Sequence, residues 1–216
     1  TELITMNFSV KTKQNQLINI RNIYCIGRNY HAHAAELNSK VPKQPFFFQK
    51  SLPSLNTSNE FIIPKDREIH HELEVVILIG KNGEEIPVSR TNDYIQGYGL
   101  GLDLTDRQYQ NELIRDQLPW LLSKSFEGAA IVSCFQDEKI SEDFWLKING
   151  SIHQKGNIDQ MIYSISEQIS FLSGMLPLLE GDLIFTGTPS GVGPIQNGDK
   201  LELGYGEKTI HLLTVK

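Results

Sequence analysis

The alternation of hydrophobic and polar positions along the chain predicts many short β-strands and few helices. Apolar runs of three to five residues recur along it. They are rich in β-branched and aromatic side chains and end at glycines or at an Asn-Gly turn, a pattern typical of strands. The predicted strands cover residues 23–26, 46–48, 72–79, 97–104, 144–148, 183–185, 200–203 and 209–215, and residues 10–21 are predicted to form a hairpin.

Helical periodicity is confined to a few segments. Residues 106–113 and 159–172 are predicted helices, the second with Asp159 as its N-cap and Gly174 just beyond its end. Because strands predominate without a regular strand–helix alternation, the pattern predicts an α+β, mainly β fold rather than a doubly wound sheet. With 216 residues, the chain is expected to form a single domain, 1–216, in which residues 1–22 are an appended N-terminal segment.

The composition narrows the class of protein. Hydrophobic residues make up 39% and charged residues 21% of the chain, as in ordinary globular proteins. The net charge of -6 and the lack of a long Lys/Arg run argue against a nucleic-acid partner. The two cysteines are far apart, which predicts reduced thiols. We expect a cytoplasmic protein with no membrane partner, since no signal-like segment and no apolar stretch of about 18 residues occur.

Two acidic residues occur in the most hydrophobic predicted strand. Glu72 and Glu74 are two positions apart, so their side chains point to one face, and the residues that follow are apolar on both faces. Asp103, near the end of the next predicted strand, would add a third carboxylate after a glycine-rich run. Three oxygen ligands without cysteine suit Mg²⁺ or Mn²⁺. The alternatives are a solvated strand face for the glutamates and a helix N-cap for Asp103.

Other polar residues could bind an anionic substrate beside such a metal. Arg107 and Lys124 could hold a carboxylate, and the Thr-Gly-Thr-Pro turn around Thr188 could present N–H groups and a hydroxyl. His33 and Glu36 are three residues apart, so on a helix the glutamate would orient the histidine as a general base. The alternatives are isolated surface charges, an ordinary loop and a surface His–Glu pair.

Five motifs follow one another in order between about residues 23 and 203. They are Gly27-Arg28-Asn29-Tyr30, His71-Glu72-x-Glu74, Gly97-Tyr98 followed by Asp103-x-Thr105-x-Arg107, Lys124-Ser125-Phe126, and Thr186-Gly187-Thr188-Pro189 followed by Gly191-Val192-Gly193. Together they resemble the fumarylacetoacetate hydrolase family, most nearly its small single-domain members of the acylpyruvase and oxaloacetate decarboxylase type.

The resemblance implies a fold, a cofactor and roles for individual residues. It implies a mixed β-roll of the C-terminal-domain type, a Mg²⁺ or Mn²⁺ ion held by Glu72, Glu74 and Asp103, and a homodimer. It also implies that His33 and Glu36 form a catalytic dyad on a mobile lid, which residues 37–44 help to shape. The residues that match the family's substrate contacts are Arg28, Gln110, Lys124 and Thr188, with Arg107 nearby.

Three functional hypotheses follow. The first is Mg²⁺-dependent hydrolysis of a C–C bond in an acylpyruvate, a small 2,4-dioxo acid, in which His33 activates water and Lys124 helps to stabilise the pyruvate enolate. The second is decarboxylation or keto–enol tautomerisation of oxaloacetate, which forms the same kind of enolate without the attacking water. The third is a non-catalytic metal-binding module, suggested by departures from the family pattern at Asp106, Gln108 and Glu127.

Overall fold

The structure, a computed structural model, describes residues 8–36 and 42–216, so the expected lid segment 37–44 lies outside it up to residue 41. The strands are β1 (Ser9–Lys11), β2 (Leu17–Asn19), β3 (Ile23–Ile26), β4 (Phe47–Lys50), β5 (Leu55–Asn56), β6 (Glu60–Phe61), β7 (Ile69–His71), β8 (Leu73–Ile79), β9 (Ile95–Asp103), β10 (Thr105–Asp106), β11 (Ala130–Val132), β12 (Phe144–Ile148), β13 (Ser151–Gly156), β14 (Leu183–Phe185), β15 (Gly193–Pro194), β16 (Lys200–Tyr205) and β17 (Lys208–Val215). The helices are α1 (His31–Glu36), α2 (Arg107–Arg115), α3 (Leu121–Lys124) and α4 (Ile165–Met175), and 3₁₀ turns cover Leu52–Ser54, Val88–Tyr94 and Ile158–Gln160. The predicted mainly β, α+β class is confirmed.

A seven-stranded mixed sheet, with strand order β4-β3-β14-β8-β9-β11-β5, forms the centre of the fold. Strand β8 lies in its middle, antiparallel to β14 and β9, and every residue of β8 is buried. Alternate side chains enter two hydrophobic clusters: Leu73, Val75 and Ile77 join the larger, whereas Val76 and Leu78 join the smaller. The prediction that this strand is covered on both faces is therefore confirmed.

Two layers cover the faces of the central sheet. The five-stranded sheet β13-β12-β16-β17-β6 packs through the larger cluster, to which it contributes Phe144 and Leu203. The β1–β2 hairpin, which confirms the prediction over residues 10–21, covers the other face with Val10 in the smaller cluster. Between β12 and β13, Asn149 and Gly150 form the predicted tight turn, with φ values of 51° and 85°.

The helix predicted over residues 159–172 is wrong at both ends. Its N-cap is Ser164 rather than Asp159, and it continues to Met175. Ser164 and Glu167 form a capping box, in which each side chain accepts a hydrogen bond from the other residue's backbone N–H. Asp159 instead belongs to the short 3₁₀ turn before it, and Gly174 lies inside α4 rather than beyond its end. Hydrophobic periodicity runs across both elements, so it could not separate them.

Two strand boundaries near the carboxylates differ from the prediction. Glu72 lies in the break between β7 and β8 rather than in a strand over 72–79, although its carbonyl oxygen still accepts from the Asp103 N–H at 2.9 Å. The strand predicted over 46–48 is β4, displaced toward the buried Lys50, and its phenylalanines are half-buried rather than buried. Phe48 lines a cavity, whereas Phe47 packs against the larger hydrophobic cluster.

The elements that follow Glu72 and Glu74 along the chain agree with the prediction. Strand β9 confirms the strand expected over 97–104, and α2 confirms the helix expected over 106–113. Asp106 is the N-cap of α2, since its Oδ1 accepts from the Tyr109 N–H at 3.1 Å. Asp103 is therefore not the cap of this helix.

A close approach of neighbouring elements requires glycine in β9. A Cβ atom on Gly101 would lie 2.5 Å from the carbonyl oxygen of Ile131 and 2.8 Å from Val76 Cγ2, well inside van der Waals contact. The glycine-rich composition of this strand thus lets β8, β9 and β11 pack closely just before Asp103. That packing brings the carboxylates of two adjacent strands together.

Within the residues that the structure describes, both cysteines are unpaired thiols and all helices are short. Cys25 and Cys134 are both free thiols, the first buried and the second exposed, as expected for reduced cysteines. Within residues 8–36 and 42–216, no helix is long and apolar enough to cross a membrane, and the longest, α4, has 11 residues.

We expect Gly101→Ala to destabilise the fold by roughly 1–3 kcal/mol, because the added methyl must displace a backbone carbonyl in a packed core. Gly174→Ala is the matched control: nothing lies within 4 Å of its added Cβ, and alanine should stabilise this helix position by roughly 0.5–1 kcal/mol. Urea unfolding of both variants measures the difference. Equal stability of the two would contradict the close-packing explanation.

Candidate active site and metal centre

Three carboxylates meet at one end of the central sheet. Glu72 precedes β8, Glu74 lies within it, and Asp103 ends the neighbouring β9. All three are buried, and one ligand oxygen from each lies within 4.8 Å of the others. This burial is not that of a solvated strand face. Buried like charges repel unless a cation offsets them, and three hard oxygen donors without sulfur fit Mg²⁺ or Mn²⁺.

Two buried lysines approach Asp103 from opposite sides. Lys124 Nζ, at the end of α3, lies 2.7 Å from Asp103 Oδ2 and 3.0 Å from Glu72 Oε2. Lys50 Nζ, at the end of β4, lies 2.6 Å from Asp103 Oδ1 and donates to the carbonyl oxygen of Leu104 at 3.0 Å. Burial lowers the pKa of Lys124, but the neighbouring carboxylates outweigh that effect and raise it. The Lys124 ammonium therefore remains charged.

Glu72 has mainly cationic neighbours. Its carboxylate pairs with Arg107 and Lys124 and accepts a hydrogen bond from Thr105 Oγ1 at 3.2 Å. Burial by itself would raise the pKa of Glu72, but the positive charges of Lys124 and Arg107 hold it well below its usual range. Arg107 also donates to Gln110 Oε1 at 2.6 Å, so α2 contributes two polar groups that are already oriented.

Glu74 has the opposite electrostatic environment. Its Oε2 accepts from the Gly187 N–H at 2.7 Å, and the ion pairs formed by Lys50, Lys124 and Arg107 in the described part of the chain go to other carboxylates. Burial, followed by the negative charges of Asp103 and Glu72, raises the pKa of Glu74 well above its usual range. Either a proton or a bound cation would relieve this repulsion.

His33 and Glu36 are paired on α1. His33 is buried, and its Nδ1 lies 3.2 Å from Glu36 Oε2. Glu36 Oε1 accepts from the backbone N–H of Gly191 at 3.1 Å, which fixes the carboxylate from a second direction. With a carboxylate at Nδ1, a neutral imidazole carries its proton there and keeps a lone pair on Nε2. His33 is thus buried and held by a carboxylate that is itself exposed, a geometry that suits an oriented base.

A cavity of about 490 Å³ connects these groups. Phe48 and Trp120 form an apolar part of its wall, with ring centroids 5.6 Å apart. The residues selected from the sequence that line it are Arg28, His33, Glu72, Glu74, Asp103, Arg107, Gln110, Lys124 and Thr188. Glu36 reaches it through its contact with His33. The structure therefore brings the predicted site residues to one place, while their individual roles remain predictions.

Sequence reasoning missed two buried residues that organise this site. Lys50 follows the Phe-Phe-Phe-Gln run, and a lysine at the end of so apolar a strand is a signal that could have identified it. Gln154 lies in the polar strand β13 of the other sheet, yet its side chain contacts Thr188 and His71. No local pattern marks Gln154, because its partners come from distant parts of the chain.

Fold and site together define a class: a mainly β domain of packed sheets with a buried carboxylate triad in a partly cationic cavity, as in metal-assisted enzymes. A sequence model described as "Fumarylacetoacetate (FAA) hydrolase C-terminal" matches residues 22–212. The chain belongs to the fumarylacetoacetate hydrolase family, which confirms the resemblance drawn from the motifs.

Relatives in this family carry the names of enzymes. The chain is 44% identical over 191 residues to "Oxaloacetate tautomerase FAHD1, mitochondrial" of Mus musculus, covering 85% of this chain and 86% of the relative. It is 41% identical over 192 residues to "Oxaloacetate decarboxylase, mitochondrial" of Dictyostelium discoideum, covering 85% and 88%. A crystal structure of fumarylpyruvate hydrolase from Pseudomonas aeruginosa with Mn²⁺ and pyruvate superposes with a TM-score of 0.92 at 30% identity, covering 100% and 99% of the two chains.

We expect Glu74→Gln to abolish stabilisation by Mg²⁺ without destabilising the metal-free protein. The raised pKa of Glu74 means that the metal-free fold loses stability as pH rises from the ordinary carboxyl value of 4.5 toward the raised value, because the folded state holds the proton more tightly. Glutamine removes the titrating carboxyl, and with it both this pH dependence of stability and one expected metal ligand. Thermal unfolding between about pH 5 and 8, with chelator or with Mg²⁺, measures both effects.

Glu84→Gln, at an exposed position, is the matched control and should keep both the pH dependence of stability and the response to Mg²⁺. If Mg²⁺ stabilises the Glu74→Gln protein as much as the wild type, Glu74 is not a metal ligand.

Proposed function

We propose that this protein is a Mg²⁺- or Mn²⁺-dependent enzyme that interconverts the keto and enol forms of oxaloacetate. The observation that carries the proposal is that the carboxylate triad and the Glu36-oriented His33 border the same cavity. Within a family of enzymes, the names of the mouse and Dictyostelium relatives favour oxaloacetate over the acylpyruvate expected first. Glu72, Glu74 and Asp103 are proposed to hold the metal.

The charges of the cavity suit a dianionic substrate. With a cation bound and Glu74 ionised, the triad would contribute three negative charges, and Lys50, Lys124 and Arg107 would balance them with three positive charges. A bound divalent ion therefore leaves an excess of two positive charges, which equals the charge on oxaloacetate with opposite sign. Arg28, also on the cavity wall, adds a further cation for a carboxylate. An uncharged ketone would gain far less from this site.

Proton transfer is assigned to His33. Glu36 holds the Nδ1–H, so Nε2 is the atom that can take a proton from the carbon between the ketone and the distal carboxylate. When bound, Mg²⁺ or Mn²⁺ supplies a Lewis-acid charge that stabilises negative charge on the ketone oxygen. The Lys124 ammonium lies beside the triad and adds electrostatic stabilisation from the protein. Return of the proton from His33 to oxygen completes the tautomerisation.

Substrate orientation is assigned to side chains on several elements. Arg107 and Gln110, already hydrogen-bonded to each other on α2, present donors on one side of the cavity. Thr188 and Arg28 present donors from the loops after β14 and β3. Preorganised donors fix the carboxylates without a large loss of side-chain entropy on binding. The aromatic wall of Phe48 and Trp120 keeps water away from the reacting carbon.

Hydrolysis of an acylpyruvate, or decarboxylation of oxaloacetate, is the second candidate. The specific observation in its favour is the likeness to fumarylpyruvate hydrolase, whose structure contains Mn²⁺ and pyruvate. In hydrolysis, His33 would take its proton from water, and the water would attack the distal carbonyl. Tautomerisation, hydrolysis and decarboxylation share an enolate. Only hydrolysis and decarboxylation break a C–C bond, so product analysis distinguishes them from tautomerisation.

Three further assignments belong to the same proposal. We propose that residues 1–216 form a single catalytic domain, with 1–22 as an N-terminal segment appended to it, and that the chain acts as a homodimer. The cytoplasmic location also stays a prediction, and the mitochondrial names of the relatives concern those proteins. Light scattering of the purified chain tests the dimer.

The test is enol–keto exchange of oxaloacetate, followed by ultraviolet absorbance after chelator treatment, with and without Mg²⁺. We expect Mg²⁺-dependent exchange, which His33→Ala slows about 100-fold or more because the proton acceptor is lost. Pyruvate release from oxaloacetate and from acetylpyruvate is measured in the same samples. Faster Mg²⁺-dependent pyruvate release than exchange would replace tautomerisation with the second candidate.

His31→Ala, an exposed position on the same helix, is the control and should retain activity. Metal binding by the His33→Ala protein must persist, since His33 is not proposed as a ligand. Wild-type protein that binds Mg²⁺ without exchange or pyruvate release would support the non-catalytic module instead.

A further inference from the structure

We propose that Gln154 is a positioning residue that fixes the Thr188 hydroxyl as a hydrogen-bond donor toward the substrate. This inference rests on the proposed function, because it assigns Thr188 to a substrate oxygen. Gln154 is 1% exposed and reaches the site from β13, a strand of the other sheet. Its amide forms four hydrogen bonds, which together determine the direction of every proton around it.

The orientation of the Gln154 amide follows from a backbone contact. The Leu73 N–H lies 2.9 Å from Oε1, and a backbone N–H acts only as a donor. That end of the amide must therefore be the oxygen. His71 Nδ1 lies 2.8 Å from the same oxygen, so it too carries a proton and donates. The opposite end of the amide is the NH₂ group.

Both N–H bonds of that group are used. One donates to the carbonyl oxygen of Pro189 at 3.0 Å, and the other to Thr188 Oγ1 at 2.8 Å. The Thr188 oxygen is thus an acceptor toward Gln154. Its own proton must therefore point elsewhere.

The cavity is the better direction for that proton. Within the protein, the hydroxyl can donate to the Pro189 carbonyl oxygen, but the distance of 3.4 Å is long for a hydrogen bond from a hydroxyl. Thr188 is 3% exposed, and it lines the cavity. The hydroxyl therefore presents a donor there. A carboxylate or keto oxygen satisfies it, whereas a donor-only group such as an ammonium would face an unmatched proton.

The same amide also connects the substrate loop to the metal centre. Leu73 lies between Glu72 and Glu74 along the chain, and the Leu73 N–H is held by Gln154. The Gln154 NH₂ holds Thr188, which follows β14. One rigid group therefore sets the position of the substrate donor relative to the carboxylates. Buried amides with all their hydrogen bonds made hold such geometry well.

The experiment is a double-mutant cycle with Gln154→Glu and Thr188→Val in the full chain with Mg²⁺. Glutamate keeps the oxygen that accepts from Leu73 and His71 but replaces the NH₂ by an acceptor, which turns the Thr188 proton away from the cavity. We measure KM and kcat for oxaloacetate, the Kd of oxalate by calorimetry, and the affinity for Mg²⁺ alone. Oxalate is an acceptor-only dianion, so it reports the donor directly.

We expect Gln154→Glu to raise KM and the oxalate Kd about tenfold, with the Mg²⁺ affinity unchanged. In the Thr188→Val background the effect of Gln154→Glu should shrink to the part that its added negative charge exerts on a dianion, because the hydroxyl it acts through is gone. In a Thr188→Ser background, which restores the hydroxyl, the effect should return. Gln154→Met, which introduces no buried charge, should also raise both constants, and in the Thr188→Val background it should alter them less than twofold.

An effect of Gln154→Met that persists undiminished in the Thr188→Val background would overturn the inference and leave Gln154 a structural residue. If the wild type turns over oxaloacetate and neither Gln154 variant changes KM or the oxalate Kd, this inference alone is rejected. Wild-type protein that neither turns over oxaloacetate nor binds oxalate rejects the proposed function, and the inference falls with it.

Discussion

Burial of three carboxylates within 4.8 Å of one another is the constraint around which the structure is arranged. Without compensating cations, burial of such a cluster would cost several kcal/mol of folding free energy per charge. The chain therefore brings cations from separate elements to the end of the central sheet: Lys50 from β4, Lys124 from α3 and Arg107 from α2. The placement of these elements is inseparable from the chemistry of the site, since each must end with its charged group at the triad.

Much of the centre could be predicted from the sequence because it depends on local periodicity. Alternation in an apolar strand placed Glu72 and Glu74 on one face, and the glycine-rich run indicated a close neighbour carrying Asp103. The ordered motifs resemble those of a known family, and that resemblance then assigned His33 and Thr188 to the same site. No spacing within a single element supplies this assignment. The structure places them all along one cavity.

The parts that could not be predicted depend on contacts between distant residues or on competing local signals. Lys50 is recognisable as a buried cation only when Asp103 is beside it. Gln154 acts across two sheets, and its polar strand looks like any solvated edge. At α4, Asp159 and Ser164 are both suitable N-caps, and the choice between them depends on which one finds its reciprocal partner at the third helical position.

The two contacts of Glu36 have a consequence for the order of events in a reaction cycle. One oxygen of this carboxylate orients His33, and the other binds the Gly191 N–H of a separate loop. A displacement of α1 from that loop would strip the carboxylate of one anchor and leave the imidazole less firmly aligned. The proposed proton transfer by His33 would therefore follow the contact of α1 with the loop that carries Gly191.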